Sequence, residues 1–236
     1  MNTKLIGQFA LAVIIIVAVT LVVSLLFPGD FRYRDVETVE DYVQYHEAGV
    51  QSTHVSHISL ILFLVSVVFL FIFLYQFCKI RNPEWATVGV FFLPPFAGLT
   101  MLFAAMQVSV APQLISMYHQ PEYQEALSLL FSQFLPGTVN QAYALADVPL
   151  LFLGIPALIF GLILSREQKL LKVTGILLAV SGTGFIGEYF SFIYPDWIST
   201  VLAFSSFFGL LISLILLSII FLRKKSREEI ESSLNT

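Results

Sequence analysis

Residues 59–81 read SLILFLVSVVFLFIFLYQFCKIR, and this stretch decides the fold. It is an apolar run that ends with two cationic residues, Lys79 and Arg81. A bilayer core of ~30 Å requires about 20 apolar residues, because the helical rise is ~1.5 Å per residue. The stretch therefore predicts a helix that crosses a membrane and ends at a charged aqueous surface.

Five further segments of the chain share this pattern. The sequence therefore predicts six membrane spans in all. They are residues 5–27, 59–77, 86–106, 141–164, 170–190 and 200–222. Of the 236 residues, 57% are hydrophobic and only 12% are charged, whereas roughly a quarter are charged in soluble domains. We predict an all-α polytopic membrane protein in the lipid bilayer, a bundle of six transmembrane helices. This single domain, residues 1–222, precedes a short polar cytoplasmic tail, residues 223–236.

The basic residues orient the predicted bundle. Of the 12 Lys and Arg residues, Arg32 and Arg34 alone fall on one side of the membrane. The other side carries Lys4, Lys79, Arg81, Arg166, Lys169, Lys172, Arg223, Lys224, Lys225 and Arg227. Cytoplasmic loops carry the excess of Lys and Arg, so we expect a cell-membrane protein with both termini in the cytoplasm. The basic residues form short clusters rather than a stripe, which argues against a nucleic-acid partner.

Two longer connections lie on the opposite, outer side. Residues 31–53 place Val36, Val39 and Val43 at helical spacing, with acidic residues away from that stripe. Residues 111–140 contain Pro121 ahead of a second apolar face, and proline is favoured in the first turn of a helix. We therefore expect two amphipathic helices that lie on the outer membrane surface.

Asp147 and Glu188 are ionisable residues within the predicted spans. Counted from Arg166 and Lys172 at ~1.5 Å per residue, they lie about 28 and 24 Å above the cytoplasmic anchors. An acid at such a depth takes a proton, binds a cation or faces a wet cavity, which makes it a candidate for function. The alternative is that both carboxylates reach the headgroup layer and cap neighbouring helix ends.

All four histidines fall on the outer side. His54 and His57 are three residues apart and share one helix face, while His46 and His119 lie on the two outer connections. Imidazoles that converge with carboxylates form Zn²⁺ or Cu²⁺ sites, so these four are candidate metal ligands at the outer face. The alternative is a set of interfacial histidines that hydrogen-bond water and lipid headgroups, with no cofactor.

Small residues recur at every fourth position of the fifth span, at Gly175, Ala179, Thr183 and Gly187. Such a pattern makes one helix face on which a second helix can approach closely. We interpret it as packing.

Prolines fall inside the third and fourth spans, at Pro94, Pro95, Pro149 and Pro156. Proline removes an intrahelical hydrogen bond, so we expect both spans to be interrupted or kinked. Kinked helices open cavities in transporters, although proline is also commoner in membrane helices than in soluble ones.

The whole chain resembles a bacterial and archaeal family of six-helix membrane proteins that is catalogued as a domain of unknown function. The resemblance rests on the six spans, the long connection before the second, Leu74-Tyr75 near its end, and the run ADVPLLFLG at residues 146–154 that leads into Ser165-Arg166. The chain lacks the arginine found in the third span of many members. The resemblance implies the fold and no established reaction or ligand.

These observations favour a non-enzymatic integral membrane protein with an outward-facing polar pocket for a small ligand, metal ion or proton. We expect Asp147 and Glu188 to hold a cation, with Gln107, Asn140 and Gln141 as further ligand-binding residues. One alternative is a transport component, either a small permease or the membrane subunit of an exporter. Another is a metal-dependent membrane enzyme acting at the outer face. A membrane partner or a homo-oligomer is compatible with each.

Overall fold

In a computed structural model of the chain, the described residues are 3–26, 38–48, 50–105, 111–167, 169–190 and 196–223. They form nine α-helices. The bounds are α1 Lys4–Leu26, α2 Val39–Ala48, α3 Val50–Arg81, α4 Pro83–Phe91, α5 Leu93–Ala105, α6 Ala111–Tyr118, α7 Pro121–Leu164, α8 Lys169–Tyr189 and α9 Asp196–Leu222. The all-α prediction is confirmed for this part of the chain.

Four segments are long and apolar enough to cross a membrane. They are Ile61–Arg81, Pro83–Leu102, Lys169–Tyr189 and Trp197–Leu222. Two shorter apolar segments, Lys4–Thr20 and Val148–Leu164, belong to α1 and α7. These helices are those of a membrane protein, because a folded chain with so much apolar length needs lipid rather than water around it.

The long helices form a closed bundle. Helix α1 packs between α3 and α9, α8 packs between α9 and α7, and the consecutive helices α4 and α5 fill the place between α7 and α3. Inside the bundle, aromatic rings interlock between helices, as in the pair Phe71–Phe160 with centroids 5.7 Å apart and the edge-to-face pair Phe77–Phe221 at 5.8 Å. One end of the bundle carries the basic residues Lys4, Arg81, Arg166 and Arg223 and is called the basic end below.

The bundle surface is apolar. Phe91 is 77% exposed, and large aliphatic side chains such as Ile15 and Ile219 are half exposed on other helices. The two tryptophans mark the limits of this surface, since Trp85 is exposed in the first turn of α4 at the basic end and Trp197 in the first turn of α9 at the opposite end. Exposed tryptophans at both rims of an apolar belt are typical of the two membrane–water interfaces.

Two adjacent prolines break the third predicted span. Pro94 and Pro95 have no N–H to donate to the carbonyls of Val90 and Phe91. Helix α4 accordingly ends at Phe91 and α5 begins at Leu93, with a single turn residue between them. The expected interruption of this span is confirmed.

Helix α7 differs from the prediction. It runs without a break over 44 residues from Pro121 to Leu164, which is about 66 Å at ~1.5 Å per residue. The expected outer surface helix and the fourth span are therefore one element, and no helix boundary falls at Gln141. Pro121 occupies the first turn as predicted, but the helix also continues through Pro149 and Pro156, where packing on α8 and α5 outweighs the lost hydrogen bonds.

Glycines bring the backbones of α7 and α8 into contact. A Cβ atom added at Gly161 would lie 2.4 Å from the Ala179 nitrogen, and one at Gly182 would lie 2.3 Å from the Leu158 nitrogen. The predicted small-residue face is only partly correct. Gly175 and Ala179 face α7, but Gly187 faces Leu202 of α9 and Thr183 is exposed.

We expect Gly161→Ala to destabilise the bundle, because the new methyl group must push apart two helix backbones. Overpacking of this kind costs roughly 1–3 kcal/mol. Gly98→Ala is the matched control, since nothing lies within 4 Å of the point where its Cβ atom would sit and alanine favours a helix over glycine by about 1 kcal/mol. Thermal unfolding in detergent should give a lower Tm for Gly161→Ala than for Gly98→Ala; equal Tm values would contradict the close contact.

Candidate functional site

The structure describes only part of the predicted site. Glu188 and His119 have described side chains. The side chains of His46 in α2, His54 and His57 in α3, and Asn140, Gln141 and Asp147 in α7 lie outside the described residues, as does Gln107. Their roles as ligands therefore stay predictions.

Glu188 lies in the contact between α8 and α9. It is half-buried in the last turn of α8, and its Oε1 accepts a hydrogen bond from Ser206 Oγ. Ser206 is 1% exposed, and its hydroxyl is also 2.9 Å from the Ala203 carbonyl oxygen. Ser181 Oγ of α8 in turn donates to the Ser206 carbonyl oxygen at 2.7 Å. The carboxyl group thus ends a polar seam between two apolar helices.

This contact places Glu188 below the end of the bundle. Helix α9 begins at Asp196, ten residues before Ser206, so Ser206 lies about 15 Å from that end at ~1.5 Å per residue. Counted from Arg223 at the basic end, it lies about 25 Å away, which agrees with the depth expected for Glu188. The Glu188 carboxyl group therefore bonds to a residue inside α9 and not to the first turn of that helix.

The centre of the bundle contains a cavity of about 280 Å³. Side chains from α1, α3, α5, α7, α8 and α9 line it, among them Val13, Phe63, Phe96, Leu153, Phe185 and Leu210. Thr100 contributes the one hydroxyl of the described lining, and that hydroxyl donates to the Phe96 carbonyl oxygen at 2.8 Å.

The acid and the cavity are adjacent along α8. Glu188 follows Phe185 by three residues, which puts both side chains on one face of the helix. On α9, Ser206 directly precedes Phe207, a second residue of the cavity wall. Along α8, Glu188 therefore lies about one helical turn beyond the lining residue Phe185, towards the end opposite the basic residues.

A second polar cluster lies at that end, between α2 and α6. Tyr118 Oη donates to Glu40 Oε1 at 2.8 Å, and His119 Nε2 lies 2.6 Å from Glu47 Oε1. Both pairs are exposed. Within the described part of the chain, no three His, Cys, Asp or Glu side chains come close enough to hold a metal ion. Within the described residues, the predicted ligand His119 contacts the carboxylate of Glu47.

Helix α2 begins with a reciprocal cap that the sequence signals. The Thr38 nitrogen donates to Asp41 Oδ2 at 2.9 Å, while the Asp41 nitrogen donates to Thr38 Oγ1 at 3.2 Å. A threonine followed three residues later by an acid is the pattern of a capping box. The apolar stripe is present as predicted, since Val39 and Val43 are each only 4% exposed.

Sequence reasoning missed Ser206 and the cavity. Serine is common in membrane helices, so its position carries no signal until α8 and α9 are packed together. The cavity depends on six helices at once, and no local pattern encodes it.

A search among protein families, curated proteins and solved structures finds no match for this chain. The resemblance to the six-helix family of unknown function stays a prediction.

Because the Tyr118–Glu40 hydrogen bond joins α6 to α2, we expect the stability of the contact between these two helices to depend on pH. The bond lowers the pKa of Glu40 from its ordinary 4.5 and, in the same way, raises the pKa of Tyr118 from its ordinary 10.0. A lowered acid pKa gives stability that is lost as the pH falls below 4.5, and a raised tyrosine pKa gives stability that is lost as the pH rises above 10.0.

Spin labels at Gln44→Cys and Gln113→Cys, in a Cys78→Ala background, would report this contact as an interhelix distance. We expect a narrow distance distribution at neutral pH that broadens at both extremes. Tyr118→Phe should broaden it at neutral pH and remove the alkaline change. A distribution that is unaffected by Tyr118→Phe would show that the hydrogen bond does not hold the two helices together.

Proposed function

We propose that the chain is a cell-membrane protein of six spans with both termini in the cytoplasm. The cavity supports six spans, because Val13 of α1 and Leu153 of α7 line it beside residues of the four candidate spans. Measured from the basic end, the cavity residues lie at about 14–27 Å on all six helices at ~1.5 Å per residue. Helices α1 and α7 thus accompany the others through the apolar belt. The excess of Lys and Arg at one end supports the orientation.

Single cysteines in a Cys78→Ala background test this topology. Glu122→Cys, in the first turn of α7, should react in intact cells with a membrane-impermeant maleimide. Lys172→Cys, near the start of α8, should react only after the membrane is opened. Both native residues are exposed, so reactivity reports the side of the membrane rather than burial. The reverse labelling pattern, or equal labelling, would overturn the proposed orientation.

We further propose that the bundle binds a small ligand from the outer side and catalyses no reaction. One observation carries this proposal: the half-buried Glu188, hydrogen-bonded to Ser206, lies about one turn along α8 from Phe185, which lines an apolar cavity. Keeping an ionisable group inside an apolar bundle is costly, so such residues mark binding or transport sites. One acid beside a serine and an apolar cavity suits binding better than turnover.

The Glu188 carboxyl group determines which functional group the polar end of the ligand must carry. A carboxyl oxygen accepts hydrogen bonds, and an ionised carboxyl group attracts a cation. An amine or a hydroxyl group therefore fits Glu188, whereas a second carboxylate is repelled. Asp147 and the outer histidines would add to this polar rim if they converge on it as predicted.

We expect n-octylamine to stabilise the protein in nanodiscs and octanoate to leave its Tm unchanged. Glu188→Gln should weaken the apparent amine affinity by roughly ten- to a hundredfold, because a hydrogen bond to a charged group is worth roughly 1.5–3 kcal/mol. Glu122→Gln, which neutralises an exposed acid in the first turn of α7, is the matched control and should bind as the unchanged protein does. Equal affinities for the Glu188→Gln and Glu122→Gln variants would refute a site at Glu188.

Transport is the second candidate, and the break between α4 and α5 favours it. Discontinuous helices form the substrate sites of many transporters, and Phe96, which follows this break, lines the cavity. Uptake of labelled octylamine into proteoliposomes, abolished by Glu188→Gln, would identify a transporter. Binding without uptake would identify a receptor-like protein. A metal-dependent enzyme depends on histidine side chains that lie outside the described residues.

A further inference from the structure

The described lining of the central cavity offers ordered water too few polar partners. A buried water molecule needs two to four polar partners. The described lining offers the Thr100 hydroxyl alone, and this group already donates to the Phe96 carbonyl oxygen. The other lining side chains are aliphatic, aromatic or proline. The cavity therefore takes an apolar occupant or stays empty.

The size of the cavity fits one hydrocarbon chain. At about 280 Å³ it has almost twice the ~150 Å³ volume of an apolar cavity that holds benzene. The lining residues also extend along the bundle axis, from Leu214 of α9 to Phe207 two turns away on the same helix. An apolar space of this volume, which extends about 10 Å along α9 at ~1.5 Å per residue, accommodates a single hydrocarbon chain.

The position of the cavity relative to Glu188 indicates which end of the bound molecule is polar. Among the lining residues, Phe185 and Phe207 are the nearest along the chain to Glu188 and Ser206. An occupant that fills the centre of the bundle and extends one turn past Phe185 would bring a hydrogen-bond donor at its outer end to the level of Glu188.

We propose that the cavity binds the hydrocarbon chain of a single-chain amphiphile, whose amine or hydroxyl end meets Glu188. This inference rests on the proposed ligand-binding function and adds the class of ligand. The chain replaces the contacts that an empty cavity would forfeit. A two-chain phospholipid fits less well, because a cavity of about 280 Å³ leaves no room for both of its chains.

Photocrosslinking in nanodiscs tests the proposal with dodecylamine that carries a diazirine in the middle of its chain. We expect adducts on cavity residues such as Leu153, Phe185 and Leu210, and unlabelled dodecylamine should suppress them. Adducts on the lipid-facing Val201 and Ile212 should persist under competition. A phosphatidylglycerol with the same diazirine in one acyl chain should label only the lipid-facing residues.

Val13→Phe fills the cavity from α1 and should abolish the competable adducts. Val13 is fully buried and lines the cavity, whereas Val180 is 47% exposed on α8. Val180→Phe is therefore the matched control and should keep the adducts. Leu153→Phe, a smaller change in volume, serves as a second filling variant if Val13→Phe does not fold.

Three outcomes would overturn the inference: no competable adduct on a cavity residue, adducts that survive both filling variants, or cavity adducts from the phospholipid probe. A Glu188-dependent thermal stabilisation by octylamine without cavity adducts would leave the proposed function standing and refute the chain site alone. Competable cavity adducts that Glu188→Gln leaves unchanged would support the chain site and refute the proposed role of Glu188.

Discussion

The contact between the α7 and α8 backbones determines how the rest of the bundle is arranged. Gly161, Gly175 and Gly182 leave no room for a methyl group between the two helices. In lipid, helices associate through such van der Waals contact rather than through the hydrophobic effect. With one face of α8 held against α7, its other face presents Ser181, Gly184 and Glu188 to α9.

Polar groups within this bundle follow two patterns. Thr100, Thr174 and Ser218 donate to carbonyl oxygens four residues earlier in their own helices, so they need no partner helix. Ser181 and Ser206 instead bond across the α8–α9 contact. In a medium of low polarity an unsatisfied hydroxyl is expensive. The cross-helix bonds therefore fix the register of α8 and α9, and this register positions the carboxyl group beside the apolar cavity.

How far the sequence predicts this structure depends on the range of the interactions involved. Pro94-Pro95 and Pro121 act through their own missing N–H groups, so the break in the third span and the start of α7 could be located from sequence. Pro149 and Pro156 carry the same local signal, yet packing on α8 and α5 keeps their helix continuous. Glu188 stands out as an acid among apolar residues. Its partner Ser206 and the cavity could not be predicted, because both arise only when separate helices meet.

The length of α7 has a mechanical consequence. One continuous rod of 44 residues carries both the cavity wall at Pro149 and Leu153 and a segment that reaches far past the end of α8. Since Leu153 in the cavity wall and Gly161 in the α8 contact belong to this one helix, a tilt of α7 against α8 would move one wall of the cavity.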